Sequence, residues 1–538
     1  MSLLVKNVHL VDPSQNLDGP GALLIAEGKV VAIGAEAASH PQVAGADVVD
    51  GGGAVLAPGF VDLHVHFREP GQTRKESIET GSRAAVAGGF SSVCAMANTK
   101  PVNDTVAITE MMLSRAAKAD LCRYFPIGTV SREMKGEELA DMGTLKAAGC
   151  VAFSDDGLPI GSAALMRRAL EYTRWLDVPV VAHEEDKDLA GKGYMHEGAV
   201  SASLGCLGIP SAAEEAMVAR DIVLAEHTGG HLHLAHLSTQ GSMRMVREAK
   251  SRGLRVTCEV TPHHFALSDK ELMKFDSDFK MNPPLRTDAD IQAVLEAIAD
   301  GTVDAIATDH APHGWDDKEV ELPFAAFGII GLETALPLTL ELLVNRKVIS
   351  LAKAISLLSW EPAKVFHLDR QGLGSLKPGS AADFTLVDLA GKIELVYSPI
   401  MDIKIYPENV DVVLIEGAVA NQDHLDLIYR IRKNTKVLVS FGDCAVTGNV
   451  TAMRNFLGSA EPVLRRAYLE GADIQAQIPC EPGIVPPLLD AVLPVHEVVA
   501  VEVFLPGCPP PAERIRALLE QVLAGSAPQL TGQQIKFG

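Results

Sequence analysis

Between Leu56 and Phe366 the chain repeats one rhythm: a short apolar run with strand alternation, a polar loop, then a longer stretch with helical spacing. The strand-like runs are 60–66, 92–97, 124–130, 150–153, 178–183, 231–236, 255–260 and 303–308. Apolar residues fall at helical spacing in 76–87, 106–119, 164–175, 212–227 and 291–299. Eight strands alternating with helices predict a (β/α)8 barrel over 57–367, with its chemistry at the carboxyl ends of the strands. The first strand shows why. In Val61-Asp62-Leu63-His64-Val65-His66, alternation turns both histidines to one side, and Pro70-Gly71 stops the run.

The flanks follow other patterns. Residues 1–56 read as short strands at 3–11, 22–25, 29–33 and 47–50, closed by Gly51-Gly52-Gly53, which predicts a small β domain. After a helical stretch over 332–366, the segment Leu373 to Val387 is strand-like again, and 368–390 is expected to complete that domain. From about Lys392 an α/β rhythm of another kind begins. Its strands are expected at 393–397, 410–415, 436–441 and 498–504, each followed by a glycine-containing loop. No Ser- or Pro-rich linker precedes it, so 391–538 reads as a second α/β domain, joined abruptly.

Composition narrows the class. At 538 residues and 47% apolar content the chain is globular and too long for one ordinary domain. No run approaches the roughly 18 apolar residues of a membrane helix, and the broken apolar start is not a signal peptide. A formal charge of −22 argues against nucleic acid or an anionic membrane as partner. The eight cysteines contain no C-x-x-C pair, which fits a reduced, cytoplasmic protein whose metals are not held by cysteine pairs.

Residues able to carry chemistry stand at the end of barrel strand after barrel strand. Strand one ends in His64, His66 and Arg68, strand two in Asn98-Thr99-Lys100-Pro101, and strand four in Ser154-Asp155-Asp156-Gly157. Strand five ends in His183-Glu184-Glu185 and strand six in His236. Strand seven leads to His263-His264 and then to Asn282-Pro283-Pro284-Leu285-Arg286; strand eight ends in Asp309-His310-Ala311-Pro312-His313. Any one of these has a plain structural reading, as a helix cap or a backbone-bonded histidine. Metal-ligand types at the same end of five strands do not. Imidazoles and carboxylates are borderline donors suited to Zn²⁺, in number enough for one or two ions. Such a centre activates water and polarises a carbonyl, which points to hydrolysis of an acyl or amide bond, or its reverse. Asp309, at the last strand, is placed to hold the proton that passes to the leaving nitrogen. Glu184 and Glu185 read as supporting or helix-starting residues.

Residues 1 to about 388 resemble a class I dihydroorotase of the amidohydrolase superfamily. The likeness rests on Phe60-Val61-Asp62-Leu63-His64-Val65-His66-Phe67-Arg68-Glu69-Pro70-Gly71, Ala97-Asn98-Thr99-Lys100-Pro101, Phe153-Ser154-Asp155-Asp156-Gly157, Lys280-Met281-Asn282-Pro283-Pro284-Leu285-Arg286 and Thr308-Asp309-His310-Ala311-Pro312-His313. The resemblance implies His64, His66, Asp156, His183, His236 and Asp309 as metal ligands, and Arg68, Asn98, Asn282 and His313 as contacts to a small-molecule substrate. It implies the reversible cyclisation of N-carbamoyl-L-aspartate to L-dihydroorotate in pyrimidine synthesis. It also leaves open a homodimer or association with aspartate transcarbamoylase. A guanidinium such as Arg68 suits the free carboxylate of that substrate, because its fork matches the two oxygens. Many amidohydrolases bridge their metals with a carboxylated lysine; none stands at this strand-four end, so Asp156 takes that place. Allantoinases and hydantoinases share the barrel but usually carry the lysine. The acidic 314–327 segment reads as a lid.

The usual tail of that family is missing, and another begins. Residues from about 392 resemble the small subunit of NAD-linked nickel–iron hydrogenases, related to the iron–sulfur subunit of complex I. The matching segments are Tyr397-Ser398-Pro399-Ile400-Met401-Asp402, Glu416-Gly417-Ala418-Val419, Phe441-Gly442-Asp443-Cys444-Ala445-Val446-Thr447-Gly448-Asn449 and Leu505-Pro506-Gly507-Cys508-Pro509-Pro510. Cys444 and Cys508 correspond to cluster ligands, but the opening region with two further cysteines is absent. A complete [4Fe–4S] cluster, which takes four thiolates, is therefore not expected. A reading from another class makes this tail an electron-transfer or docking module that contacts a hydrogenase subunit. A working fusion and a misassembled reading frame both fit the abrupt join.

Overall fold

The computed structural model describes residues 2–388, 406–470, 477–478, 485–507 and 510–523. The expected strand at 393–397, the segment Tyr397 to Asp402, and Cys508 lie outside the described residues. The chain divides into two compact units, Met1–Leu389 and Ala390–Gly538. Among the described residues no helix is long and apolar enough to cross a membrane.

The first unit opens with β1 (Ser2–Asp12), β2 (Leu17–Ala26), β3 (Lys29–Gly34), β4 (Asp47–Asp50) and β5 (Val55–Pro58). Alternation buries Leu10, Leu23, Ile25, Val30 and Leu56 in one apolar cluster with Leu376. The chain returns to this sheet after the barrel. β13 (Phe384–Val387) pairs antiparallel with β5, giving the order β13-β5-β1-β2-β3 with β4 beside β1.

Between these strands lies a closed parallel barrel. It uses β6 (Phe60–Val65), β7 (Phe90–Ala95), β8 (Arg123–Pro126), β9 (Val180–Ala182), β10 (Leu232–Leu234), β11 (Val256–Val260) and β12 (Ala305–Ile306). The run expected as a strand at 150–153 narrows to a bridged position, with Phe153 paired to Gly128 on one side and Val180 on the other. The backbone there still donates and accepts on both flanks, from Ser154 to Gly128 and from Val181 to Phe153. Closure comes from Val65 against His310. Leu63, Cys94, Ile127, Ala152, Val181 and Ala305 form one buried cluster drawn from strands all round the barrel, as a filled lumen requires.

Helices cover the outside where the periodicity places them, among them Ile78–Ala87, Val106–Ala119, Ala163–Leu176, Ser211–Thr228 and Asp288–Asp300. Ser77 and Thr80 form a capping box at the first, as Thr287 and Asp290 do at the last. The helical stretch expected over 332–366 is not continuous. It breaks into Ala335–Thr339, Leu340–Asn345, Leu351–Leu358 and Trp360–Val365. Lys347 turns left-handed (φ 61°) after the second piece, and the Ser350 side chain caps the third.

The second unit has a three-stranded parallel sheet in the order β14 (Val410–Glu416), β16 (Thr435–Phe441), β18 (Val503–Leu505). A separate antiparallel pair joins β15 (Val419–Asn421) to β17 (Leu488–Leu493), an element the periodicity did not reveal. The strand expected at 498–504 is shorter than read. Val495–Val498 is a helical turn after Pro494, which buries Val495, and the strand starts only at Val503. Local packing of Val495 and Val499 overrides the β-branched composition of that run.

Candidate metal centre and active site

The loops after the barrel strands bring the predicted donors together. His64 and His66 project to the same side of β6, as alternation requires, and Asp309 Oδ1 lies 3.5 Å from His64 Nε2 and 2.9 Å from His66 Nε2. Asp156 is central. Its Oδ1 lies 3.6 Å from His64 Nε2, 3.5 Å from His183 Nδ1 and 3.4 Å from His236 Nε2, while Oδ2 lies 3.3 Å from His66 Nε2. His183 Nδ1 and His236 Nε2 are 3.0 Å apart. All six side chains are buried. Two triads, His64–Asp156–His236 and His64–His66–Asp309, have ligand atoms within 4.8 Å of one another, the spacing of a metal-binding group. His236 (φ 34°) and Asp309 (φ 46°) sit in the left-handed region, a strained backbone of the sort functional sites retain.

The electrostatics match a cation. Burial alone would push carboxylates up and imidazoles down. Instead the histidines around Asp156 and Asp309 outweigh burial and hold both carboxyls well below their ordinary range. Against the same burial, Asp309, Asp156 and Glu259 raise His64 well above its ordinary value, and Asp156 and Glu185 bring His183 to about 9. His64 Nε2 is buried and has no hydrogen-bond partner. A bare ring nitrogen facing two carboxylates is a poor neutral arrangement and a good ligand, so the donor set fits a divalent ion.

The four proposed substrate contacts are placed less uniformly. Arg68 and His313 meet, Nη2 to Nε2 at 3.3 Å, and Arg68 Nε donates to Pro312 O. Burial, with Arg68 and Lys75 beside it, lowers His313 to about 3, so its ring is neutral. Asn98 accepts from His66 Nδ1 at 2.9 Å, and thus supports a metal-facing histidine from behind. Asn282 donates to Glu185 at 3.3 Å, and Glu185 also binds Lys187. Glu184 points away into a fully buried position where neither oxygen has a partner. Of the paired aspartates, Asp155 serves structure, accepting from the backbone of Val130 and Ser131, and only Asp156 faces the histidines. His263 and His264 join neither triad; His264 instead meets Thr261 and the Pro283 carbonyl beside Asn282.

The 314–327 segment is held at several points rather than hanging free. Lys280 Nζ donates to Leu322 O and Pro323 O, Lys318 Nζ donates to Ala326 O, and Arg74 pairs with Asp316 and Asp317. His313 Nε2 lies 2.9 Å from Phe327 O, which ties the segment to the Arg68 side of the mouth.

Two residues at the centre were given no role from the sequence. Asp62 accepts from Thr308 and from the His64 amide, which joins the first and last strands, and burial raises it to about 6. Glu259 accepts from His64 Nδ1 at 2.7 Å. Alternation in Val256-Thr257-Cys258-Glu259-Val260 carried the signal, since an acid on the face opposite the apolar residues of a barrel strand has to be paired.

In the second unit, Cys444 lies in the helix Gly442–Thr447 that follows β16. The Asp443 amide donates to Gly507 O, and the Gly507 amide donates to Asp443 Oδ1 at 2.7 Å, so the two motif loops adjoin. Neither triad draws on this unit among the described residues.

Comparison with known proteins divides the chain in a similar way. Residues 53–242 match the family model described as Dihydro-orotase-like, and residues 379–522 match that of NADH ubiquinone oxidoreductase, 20 Kd subunit. A dihydroorotase of Anaeromyxobacter dehalogenans is 54% identical over 392 residues, covering 72% of this chain and 89% of the relative. One from Pelobacter propionicus is 50% identical over 388 residues, covering 72% and 90%. Among solved structures, the L-hydantoinase of Arthrobacter aurescens superposes with a TM-score of 0.63 at 24% identity, over 71% of this chain and 86% of that one. The D-hydantoinase of a Thermus species gives 0.60 at 25%, over 71% and 86%.

Proposed function

This chain belongs to the dihydroorotase family, and from that premise we propose how the side chains at its barrel mouth divide the work. The chain is a hydrolase of cyclic amides that interconverts N-carbamoyl-L-aspartate and L-dihydroorotate, and it uses a divalent metal. The metal in our reading is zinc, for which four imidazoles and two carboxylates are apt donors. His64, His66 and Asp309 would hold one ion, and His183 and His236 a second, with Asp156 between them. Zinc held by these residues would supply water acidic enough to react near neutral pH and a Lewis acid for the substrate carbonyl.

The remaining chemistry belongs to side chains. Asp309 reaches both first-strand histidines, so its carboxylate can take a proton from the attacking water and deliver it to the leaving ring nitrogen. In the direction of ring closure the same group takes the proton from the ureido nitrogen. Arg68 grips the substrate carboxylate, and neutral His313 beside it adds a hydrogen bond without adding charge. Asn282 contributes a further amide from the other rim. Asn98 acts in two capacities, as a substrate contact and as the acceptor that orients His66.

The observation that carries this reading is the position of Asp156, whose two oxygens face both histidine sets. An aspartate there needs no carbon dioxide to become an anionic ligand. Apo-protein given zinc in CO₂-depleted buffer is expected to recover full cyclisation activity. A strong bicarbonate requirement would assign the bridging role to a carboxylated lysine elsewhere and sink it.

A further inference from the structure

Behind the metal-facing side of His64 the barrel interior holds a continuous string of polar groups. His64 Nδ1 meets Glu259 Oε1 at 2.7 Å, and Glu259 Oε2 meets His233 Nε2 at 3.1 Å. His233 Nδ1 lies 2.9 Å from Thr257 Oγ1, and the same hydroxyl lies 2.9 Å from His231 Nε2. His231 Nδ1 is buried and has no partner. The string follows from strand geometry. β10 and β11 pair in parallel with His233 opposite Thr257, and alternation puts Glu259 two residues further along on the face of Thr257. His64, His233 and Glu259 are fully buried.

The protons in this string can be placed by counting. An ionised Glu259 has no proton to give, so both rings donate to it, His64 through Nδ1 and His233 through Nε2. In a neutral ring His233 Nδ1 is then a lone pair, and the single proton of the Thr257 hydroxyl goes to it. The hydroxyl oxygen in turn accepts from His231 Nε2–H, which leaves His231 Nδ1 as a lone pair. That is the nitrogen with no partner, so the string ends where the count says it must. Burial, with His233 and Arg255 near by, lowers His231 to about 3 and keeps that ring neutral.

We propose that His231, Thr257, His233 and Glu259 form a one-way hydrogen-bond chain whose work is to fix the tautomer of His64, with Nδ1 protonated and Nε2 bare toward the metal. The inference rests on the reading of His64 as a metal ligand. These four are positioning residues: none touches substrate, and each acts through His64. Without the chain, His64 is free to place its proton on Nε2 and lose its value as a donor atom. A carboxylate behind the ring also strengthens the ring's remaining lone pair.

Zinc affinity of the full chain tests this, measured by competition against a chelator of known affinity. Only the zinc that is lost in His66→Ala is counted, so that thiols elsewhere do not enter. Glu259→Gln, which places an amide donor against a ring donor, is expected to weaken binding about 10- to 100-fold. Thr257 gives the cleaner pair. Thr257→Val keeps the shape and removes the hydroxyl, and should weaken zinc roughly fivefold, the worth of one ordinary hydrogen bond. Thr257→Ser keeps the hydroxyl, drops a methyl group, and should bind as the wild type does. A packing role predicts the reverse order, because serine leaves a gap that valine fills. Wild-type affinity in Thr257→Val, or a serine variant weaker than the valine one, overturns the chain. A wild-type protein with no His66-dependent zinc overturns the metal site itself, and the inference with it.

Discussion

The two units place their motif residues at similar points, on the loops that follow parallel strands, yet these loops hold different things. In the barrel the loop after β6 meets the loop after β12, and side chains so gathered have partners behind them: Asn98 behind His66, Glu259 behind His64, Thr308 behind Asp62. In the second unit the start of the helix after β16 meets the loop after β18 through Asp443 and Gly507, and Cys444 is the described thiol at that junction. One unit gathers imidazole and carboxylate donors into two buried triads. The other brings one described thiol, Cys444, to the junction of its motif segments. A fold persists on its packing, whereas a site needs every member, so likeness of fold does not carry activity from one protein to another.

The largest expected effect sets the units directly against each other. Asp309→Asn keeps shape and loses the base, so turnover should fall roughly 10²- to 10⁴-fold in a carbamoyl-aspartate cyclisation assay. Cys444→Ala should leave turnover unchanged. Near-normal rates in the first variant, or a collapse in the second, would erase the contrast. Arg68→Lys comes next. A point-charge ammonium cannot reproduce the bidentate fork, and KM should rise roughly 10- to 100-fold while the zinc content stays constant. An unmoved KM would take Arg68 out of substrate binding.

These residues were legible because their signals are local. Alternation in the first strand puts His64 and His66 on one side from sequence alone, and the ends of the following strands add the carboxylates. Glu259 was also within reach, as an acid inside an apolar strand. Its role was not, because it depends on a partner 195 residues away. The same distance problem hides the bond from His66 to Asn98 and the different surroundings of Asp155 and Asp156. Among the elements, the errors fall where side-chain packing decides. Phe153 bridges two neighbours without a full strand, and the strand expected at 498–504 starts only at Val503.

Stability sharpens the contrast further. A ligand bound only to the folded barrel stabilises it in proportion to the logarithm of its concentration. Stripping zinc that stands at about a hundred times its Kd should lower the barrel's melting temperature by roughly 3 °C per ion. Zinc should restore it and iron with sulfide should not. Restoration by iron with sulfide alone would move the stabilising site to the cysteine-bearing unit.

The smallest effect concerns His196, which faces Arg286 Nη1 at 3.2 Å through Nδ1. Burial and then Arg286 lower it to about 4, below the unfolded value of about 6.5. Above about pH 6.5 both states are neutral there and the contribution is whole. As pH falls below that, the unfolded chain takes a proton that the fold refuses until about pH 4, so stability drains away over that window. His196→Gln should therefore lose less melting temperature between about pH 7 and about pH 4.5 than the wild type loses. Equal losses would show that this ring does not report on the fold.

The most direct measurement takes the purified full chain, reconstituted anaerobically with zinc, iron and sulfide together. Bound metals are then counted, and cyclisation is assayed in the wild type and in Cys444→Ala/Cys508→Ala. If the function lives in the barrel, both proteins turn over carbamoyl-aspartate at the same rate with up to two zinc ions per chain and no stoichiometric iron. About four irons per chain, lost in the double variant, in a protein that does not cyclise carbamoyl-aspartate would contradict the account and give the function to the second unit.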